Sequence, residues 1–383
     1  MEKKSGSSKN LTRTLHVGKP NIGSREAILS RINELLDRRW LTNNGPLVQA
    51  LEERIALRLG VRHCVAVSSG TMALQIAIRA LGMTGEVIIP SFTFVGTAHA
   101  LQWQGITPVF CDIDPVTHNL DPAKVEALIT ARTTGVIGVH LWGRPCAPEA
   151  LVRIAKQHGL ALLFDAAHAF GCSHKGKMVG GFGDAEILSF HATKVFNTAE
   201  GGAITTENDQ LADKLRHMRD SGFAGYDNVI MLGVNGKMNE LCAALGLANL
   251  ESVDAFIDSN RRNHEQYEKE LSCLPGLTLI KYNSEEKNNW QYIVAMVDGR
   301  KTGVERDELV TMLHDHGILA RRYFWPGCHN MEPYRTNDPK AEERLPATMK
   351  VAGQTLVLPT GTSVASSDIS RICRLLGKLV NHQ

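Results

Sequence analysis

No apolar run in this 383-residue chain approaches the roughly 20 residues that span a bilayer; stretches such as 160–164 are strand-length. Neither sign of charge is in excess. The 42 Lys and Arg against 40 Asp and Glu leave +2, which gives no footing for nucleic acid or a membrane surface as partner. The eight cysteines, at 64, 111, 146, 172, 242, 273, 328 and 373, form no CxxC pair. Several, Cys64 and Cys111 among them, sit in apolar strands, where reduced cysteine behaves as a small hydrophobe. The 15 histidines show no convincing ligand spacing, His314-x-His316 included, so no metal is expected. The chain has neither GxxxxGKS/T nor GxGxxG at a strand–helix turn, and no GxSxG elbow, which weighs against P-loop, Rossmann and serine-hydrolase readings. The start, MEKKSGSSKN, has no apolar core behind it and shows no secretory signal. Residues 1–12 read as a disordered tail. What remains, at 43% hydrophobic and 21% charged, is the composition of a soluble, cytoplasmic, enzyme-sized protein.

Periodicity orders the rest. Helical patterns cover 24–40 and 47–59, the latter with leucine or isoleucine at four-residue steps and Gly60 as its stop. Short apolar runs at 63–67, 86–89, 107–111, 135–141, 160–164, 185–190 and 203–206 then alternate with helical segments at 71–81, 98–104, 122–130 and 148–158. Such alternation predicts an α/β fold, a mostly parallel sheet covered by helices on both faces. The closeness of the last two strands predicts an antiparallel strand at one edge. A long helix at 237–258 leads away from the sheet. Strands at 277–282, 291–297 and 318–324 and helices at 304–316 and 367–380 then describe a smaller α+β unit. The expected division is a large domain over 13–250 and a small one over 251–383.

Three strand ends carry polar residues that chemistry could use. In HCVAVSSGT (63–71) a strand runs into Ser68, Ser69, Gly70 and Thr71 at the start of a helix. A helix N-terminus with hydroxyls and glycine suits a phosphate, and plain helix capping uses the same residues. In GLALLFDAAHAFG (159–171) a buried strand ends at Asp165, with His168 three residues on. A carboxylate leaving an apolar strand is costly without a cation; an N-cap role is the alternative. In AEILSFHATKVFNTAEGG (185–202) a strand ends at Ser189-Phe190 and is followed by Lys194. A lysine held at a buried strand end loses its proton more readily, as Schiff-base chemistry requires, though a solvated loop lysine fits too. One ligand fits all three: pyridoxal 5′-phosphate (PLP), whose aldehyde needs a lysine, whose ring nitrogen needs an acid and whose phosphate needs a helix N-terminus. Phe92 and Phe94 in PSFTFV could stack on its ring or belong to the core. Arg321-Arg322-Tyr323 could reach a phosphate or lie along the surface.

With these residues in place, the chain resembles the sugar-nucleotide aminotransferases of the DegT/StrS type, among the fold-type I PLP enzymes. The likeness runs from WLTNNGP (40–46) to LPATMKVAGQTLVLPTG (345–361) and is most specific in SFHATKVFNTAEGG (189–202). It implies that Lys194 forms the Schiff base and carries protons, and that Asp165 pairs with the ring nitrogen. It sets His168 near the ring oxygen and Phe94 against the ring, with Gly70, Thr71 and Ser189 on the phosphate. Asn235, in GVNGKM, resembles the residue lent to a neighbouring subunit's phosphate, which implies a homodimer with shared sites. Gly236-Lys237 stand where the family commonly has an aromatic and an arginine. Lysine at 194, where a related dehydratase branch has histidine, implies transamination, and SFHATK resembles enzymes acting at C4 of 4-keto-6-deoxy sugars. RRYFWPGCHNMEPYR (321–335) resembles the sugar-facing loop, with Tyr323 and His329 as substrate candidates. The expected reaction takes L-glutamate and a nucleotide-linked 4-keto-6-deoxyhexose. The alternatives are C3 or aminocyclitol transamination, or a non-catalytic PLP-binding regulator.

Overall fold

Seven short runs dominated by Val, Ile, Leu and Ala, nearly all buried, can satisfy their backbone only by pairing with each other. A computed structural model shows that they do. It describes residues 13–380 apart from 337 and 339, so the tail expected over 1–12 lies outside the described residues. The strands are β1 (His63–Val67), β2 (Glu86–Pro90), β3 (Thr107–Cys111), β4 (Thr133–Val139), β5 (Ala161–Asp165), β6 (Ala185–Ser189) and β7 (Gly202–Thr206). Their order across the sheet is β1-β7-β6-β5-β4-β2-β3. All run in one direction except β7, which is antiparallel to both β1 and β6. The odd strand is therefore interior, and not at the edge where the sequence suggests it: β1, the first of these seven along the chain, closes over it.

Helices cover the sheet: α1 (Arg25–Arg38), α2 (Pro46–Leu59), α3 (Gly70–Ala80), α4 (Val95–Gln102), α5 (Pro148–His158) and α6 (Asp209–Arg219). Their ends follow local chemistry. Ser24 caps α1 by accepting from the Ala27 N–H at 3.2 Å, and Gly60, at φ +66°, ends α2 in the left-handed conformation glycine tolerates. Buried Glu240 accepts from the N–H groups of Leu47 and Val48 at 2.9 and 2.8 Å, capping α2 from a distant part of the chain.

Glu240 begins α7 (Glu240–Leu271), a 32-residue helix that outruns the expected 237–258. Its later buried stripe includes Asn260, Asn263, His264 and Tyr267, polar residues that a hydrophobic-period reading does not count. The boundary expected at 250/251 falls inside this helix, which packs first on the large sheet and then on a smaller one. The smaller antiparallel sheet is β8 (Leu277–Leu279), β9 (Ile293–Val297) and β10 (Thr355–Leu358), in that order, with α8 (Arg306–Asp315) and α9 (Ser366–Val380) against it. Leu15–His16 pairs in parallel with Ile318–Leu319, which ties the start of the described chain to this second unit.

Candidate active site

Parallel strands expose their carboxyl ends together, and there the structure opens a cavity of about 480 Å³. Gly70, Thr71, Phe94, Asp165, His168, Ser189, Lys194 and Tyr323 line it, although 253 residues separate the first from the last in sequence.

On one side β1 passes through Ser68 and Ser69 into α3. Ser69 caps the helix, accepting from the Met72 N–H at 3.1 Å, and the first-turn N–H groups of Gly70 and Thr71 face no helical acceptor of their own. A side chain at Gly70 would put its Cβ 2.8 Å from that of Ser189, and one at Gly202 would meet the Ser69 carbonyl at 2.7 Å. Two glycines thus bring the helix start, Ser189 and the end of β1 into a cradle with room for a tetrahedral anion.

Across the cavity, Asp165 closes β5. Its Oδ2 accepts from the Thr97 hydroxyl at 2.9 Å and its Oδ1 from the Ala167 N–H at 3.1 Å. Burial pushes its pKa up; those two bonds and the Lys194 charge pull it back. A buried carboxylate held by neutral donors and facing a cavity is suited to a cation there. Lys194 is partly buried, and burial lowers its ammonium to about 8, with Asp165 opposing. Its Nζ lies 3.5 Å from the Tyr292 hydroxyl, which lies 3.3 Å from His168 Nε2. Burial holds His168 neutral, well below its usual range. Its ring stacks on Trp142 and Phe324 at 5.9 Å.

The other candidates divide. Phe94, 58% exposed, sits at the N-cap of α4 beside the cavity, whereas Phe92 is wholly buried in the core. Tyr323 lines the cavity with Arg321 and Phe324. His329 does not: it is buried behind the wall, bonded to Ser91 Oγ at 2.6 Å. Asn235 is exposed and does not line the cavity; its backbone bridges to Asp220. Lys237 pairs with Asp220, and Gly236 packs where a Cβ would meet Ile76 at 2.9 Å. Sequence reasoning missed Thr97 and Tyr292. Thr97 sits in the first turn of α4 and Tyr292 just before β9, and neither belongs to a pattern that marks it.

The residues fit PLP. The glycine-and-hydroxyl cradle suits its phosphate, buried Asp165 its protonated ring nitrogen, and Lys194, readily deprotonated, its aldehyde. Among the described residues no cluster suits a metal ion.

Comparison with known proteins agrees. The profile of the DegT/DnrJ/EryC1/StrS aminotransferase family matches residues 23–377. A Shigella dysenteriae protein named dTDP-4-amino-4,6-dideoxy-D-glucose transaminase is 35% identical over 359 residues, covering 94% of this chain and 97% of its own. A Caulobacter vibrioides GDP-perosamine synthase is 36% identical, with 91% and 94% covered. The crystal structure of DesI with its TDP-sugar product superposes with a TM-score of 0.91 at 45% identity, covering 97% and 94%. The chain is a PLP-dependent enzyme and belongs to the DegT/DnrJ/EryC1/StrS aminotransferase family.

Proposed function

We propose that this aminotransferase moves the amino group of L-glutamate to the C4 ketone of a nucleotide-linked 4-keto-6-deoxyhexose, dTDP-4-keto-6-deoxyglucose being the first substrate to test, and so makes a 4-amino-4,6-dideoxy sugar nucleotide. The observation that carries it is the meeting of Lys194 and Asp165 in one cavity with the phosphate cradle opposite. The SFHATK block and the Shigella relative's name support C4, and the TDP sugar bound to DesI supports the nucleotide.

Bound PLP supplies a carbonyl for amine exchange and a ring that accepts an electron pair from the reacting carbon. The chain's residues do the rest. Lys194 Nζ, with its proton held loosely, takes the α-proton of glutamate in the first half-reaction and delivers one to the sugar's C4 in the second. Asp165 would set a negative charge against the ring nitrogen. Gly70, Thr71 and Ser189 would hold the phosphate, with His168 toward the ring oxygen and Phe94 against the ring. Tyr323 and Arg321, at the outer wall, are placed for the sugar nucleotide.

In this reading the enzyme works as a homodimer, Asn235 reaching the phosphate site of a second copy. Phe223, Val229, Ile230, Leu232 and Val234, all exposed and apolar, precede that residue in sequence and support such a face. Eight unpaired cysteines are in keeping with a reducing, cytoplasmic setting. Among the described residues no helix is long and apolar enough to cross a membrane.

The test follows the visible band of the PLP-loaded protein through two additions. Glutamate should bleach it, and a dTDP-linked 4-keto-6-deoxy sugar should restore it with an aminated product. A GDP-linked sugar belongs in the same series because of the Caulobacter relative. Product NMR separates C4 from C3. A band that glutamate leaves unchanged refutes transamination, and so does substantial turnover by Lys194→Ala.

A further inference from the structure

The mechanism above leaves the buried hydroxyl of Tyr292, in the cavity wall, unused. Tyr292 is 6% exposed, and its Oη stands between Lys194 Nζ at 3.5 Å and His168 Nε2 at 3.3 Å. We propose that Tyr292 is a positioning residue, the last link of a one-way hydrogen-bond chain that aims an O–H at the Lys194 lone pair and so favours the free amine.

The direction of the chain follows from its fixed end. The Trp142 backbone N–H, which can only donate, points at His168 Nδ1 at 3.4 Å. A neutral imidazole accepting at Nδ1 carries its hydrogen on Nε2, and that N–H donates to Tyr292 Oη. The neighbouring Gln291 is turned to other work: its Oε1 accepts from the Val195 N–H at 2.6 Å, and its amide nitrogen meets no hydrogen-bond partner among the described residues. The His168 N–H therefore faces Tyr292 Oη on one side, and Lys194 Nζ, on the other, is the acceptor placed for its hydrogen. A free amine accepts that hydrogen; an ammonium cannot, and it strands a buried O–H. Burial raises the Tyr292 pKa and lowers that of His168, so both stay neutral and the chain keeps its sense.

The other titratable groups around the cavity are Asp165 at the end of β5, His191 and Glu200 on the lysine's own loop, and Arg321 and Tyr323 on the outer wall. Asp165 favours the ammonium and opposes the chain. The free amine at Lys194 is thus selected by burial together with a directed donor.

This inference rests on Lys194 being the reactive amine, and the experiment keeps the two apart. Borohydride treatment of the PLP-loaded full-length protein should fix a pyridoxyl group on Lys194 in wild type and in Tyr292→Phe. The cofactor-free proteins are then labelled with trinitrobenzenesulfonate across a pH series, and modification of Lys194 is quantified by peptide mass spectrometry. Tyr292→Phe should raise the midpoint by roughly half to one pH unit, the size of one neutral hydrogen bond. His168→Leu, which removes the donor that orients the tyrosine, should move it the same way and add little in the Tyr292→Phe background. A midpoint unchanged or lowered in Tyr292→Phe, or fully additive shifts, overturns the chain and leaves the site reading intact. Failure of borohydride to mark Lys194 overturns both.

Discussion

Replacing Lys194 with methionine should make the cofactor-free protein more stable. The lysine's pKa falls from 10.5 to about 8 on burial, so below pH 8 the folded protein holds an ammonium that the unfolded chain would keep in water. At 1.36 kcal/mol per pH unit that difference is a penalty of about 3 kcal/mol. Methionine fills a similar space without the charge. It also removes the cation that helps keep Asp165 ionised, but Asp165 already has its pKa raised and can take a proton, which limits the offset. The net gain should be about 1–3 kcal/mol at pH 7. Its pH dependence is the signature. Between about pH 8 and 10.5 the unfolded wild type binds a proton that the folded form has lost, so wild-type stability rises with pH. The advantage of the variant must therefore shrink across that window and vanish above it. Urea midpoints of the cofactor-free proteins at pH 7 and pH 10, with m-values compared, measure this. A variant no more stable than wild type at pH 7, or one whose advantage is the same at both pH values, would refute the claim that the site holds its lysine under strain.

Thr97→Val removes the hydroxyl that donates to Asp165 Oδ2 and should weaken PLP binding about tenfold, since bonds to charged groups are worth about 1.5–3 kcal/mol; equilibrium dialysis against PLP reads this, and an unchanged affinity counts against the pairing role of Asp165. Gly202→Ala drives a methyl group to 2.7 Å from the Ser69 carbonyl and should cost roughly 1–3 kcal/mol of stability along with phosphate affinity; inorganic phosphate competing with PLP equally well in variant and wild type would show that the cradle is not built as described. Ser91→Ala unties His329 and should raise KM for the sugar nucleotide severalfold, with the KM for glutamate less affected. Equal effects on both substrates would mean that the Ser91–His329 bond supports the whole site and not its outer wall alone.

The order of strands and helices was legible because each obeys one rule: the apolar runs are largely buried strands and the helices between them carry caps and stops. The antiparallel β7 was placed at the edge because neighbours in sequence are expected to be neighbours in space, whereas β1 returns to pair with β7. Helix α6, DQLADKLRHMR, went unseen because only four of its eleven residues are buried. Lys194 and Asp165 stood out because Asp165 ends an apolar strand and Lys194 follows closely on another, where a charge must have a reason. Thr97 and Tyr292 were not, since a threonine in a helix and a tyrosine beside a strand need no reason until the fold sets them against a carboxylate and an amine.

His329 shows how a loop can look ligand-facing over its whole length when only half of it is. Arg321 exchanges backbone hydrogen bonds with Val357 of β10, at 2.9 and 2.8 Å, which fixes one end of the segment to the small sheet. The Cys328 N–H donates to the Ser91 carbonyl at 2.8 Å, and the Ser91 hydroxyl accepts from the His329 N–H at 3.1 Å while bonding to its Nδ1. That end is fixed beyond β2 of the large sheet. Between the two anchors hang Tyr323 and Phe324, which line the cavity together with the Arg321 side chain. The segment is a strap across two sheets, and the position of its middle depends on both. Arg321 and Tyr323 line the cavity, whereas the imidazole of His329 is spent on holding the strap. A basic, aromatic loop read from sequence offers both roles to every residue in it, and only the hydrogen bonds at its ends decide which residues are anchors and which are free to recognise a sugar.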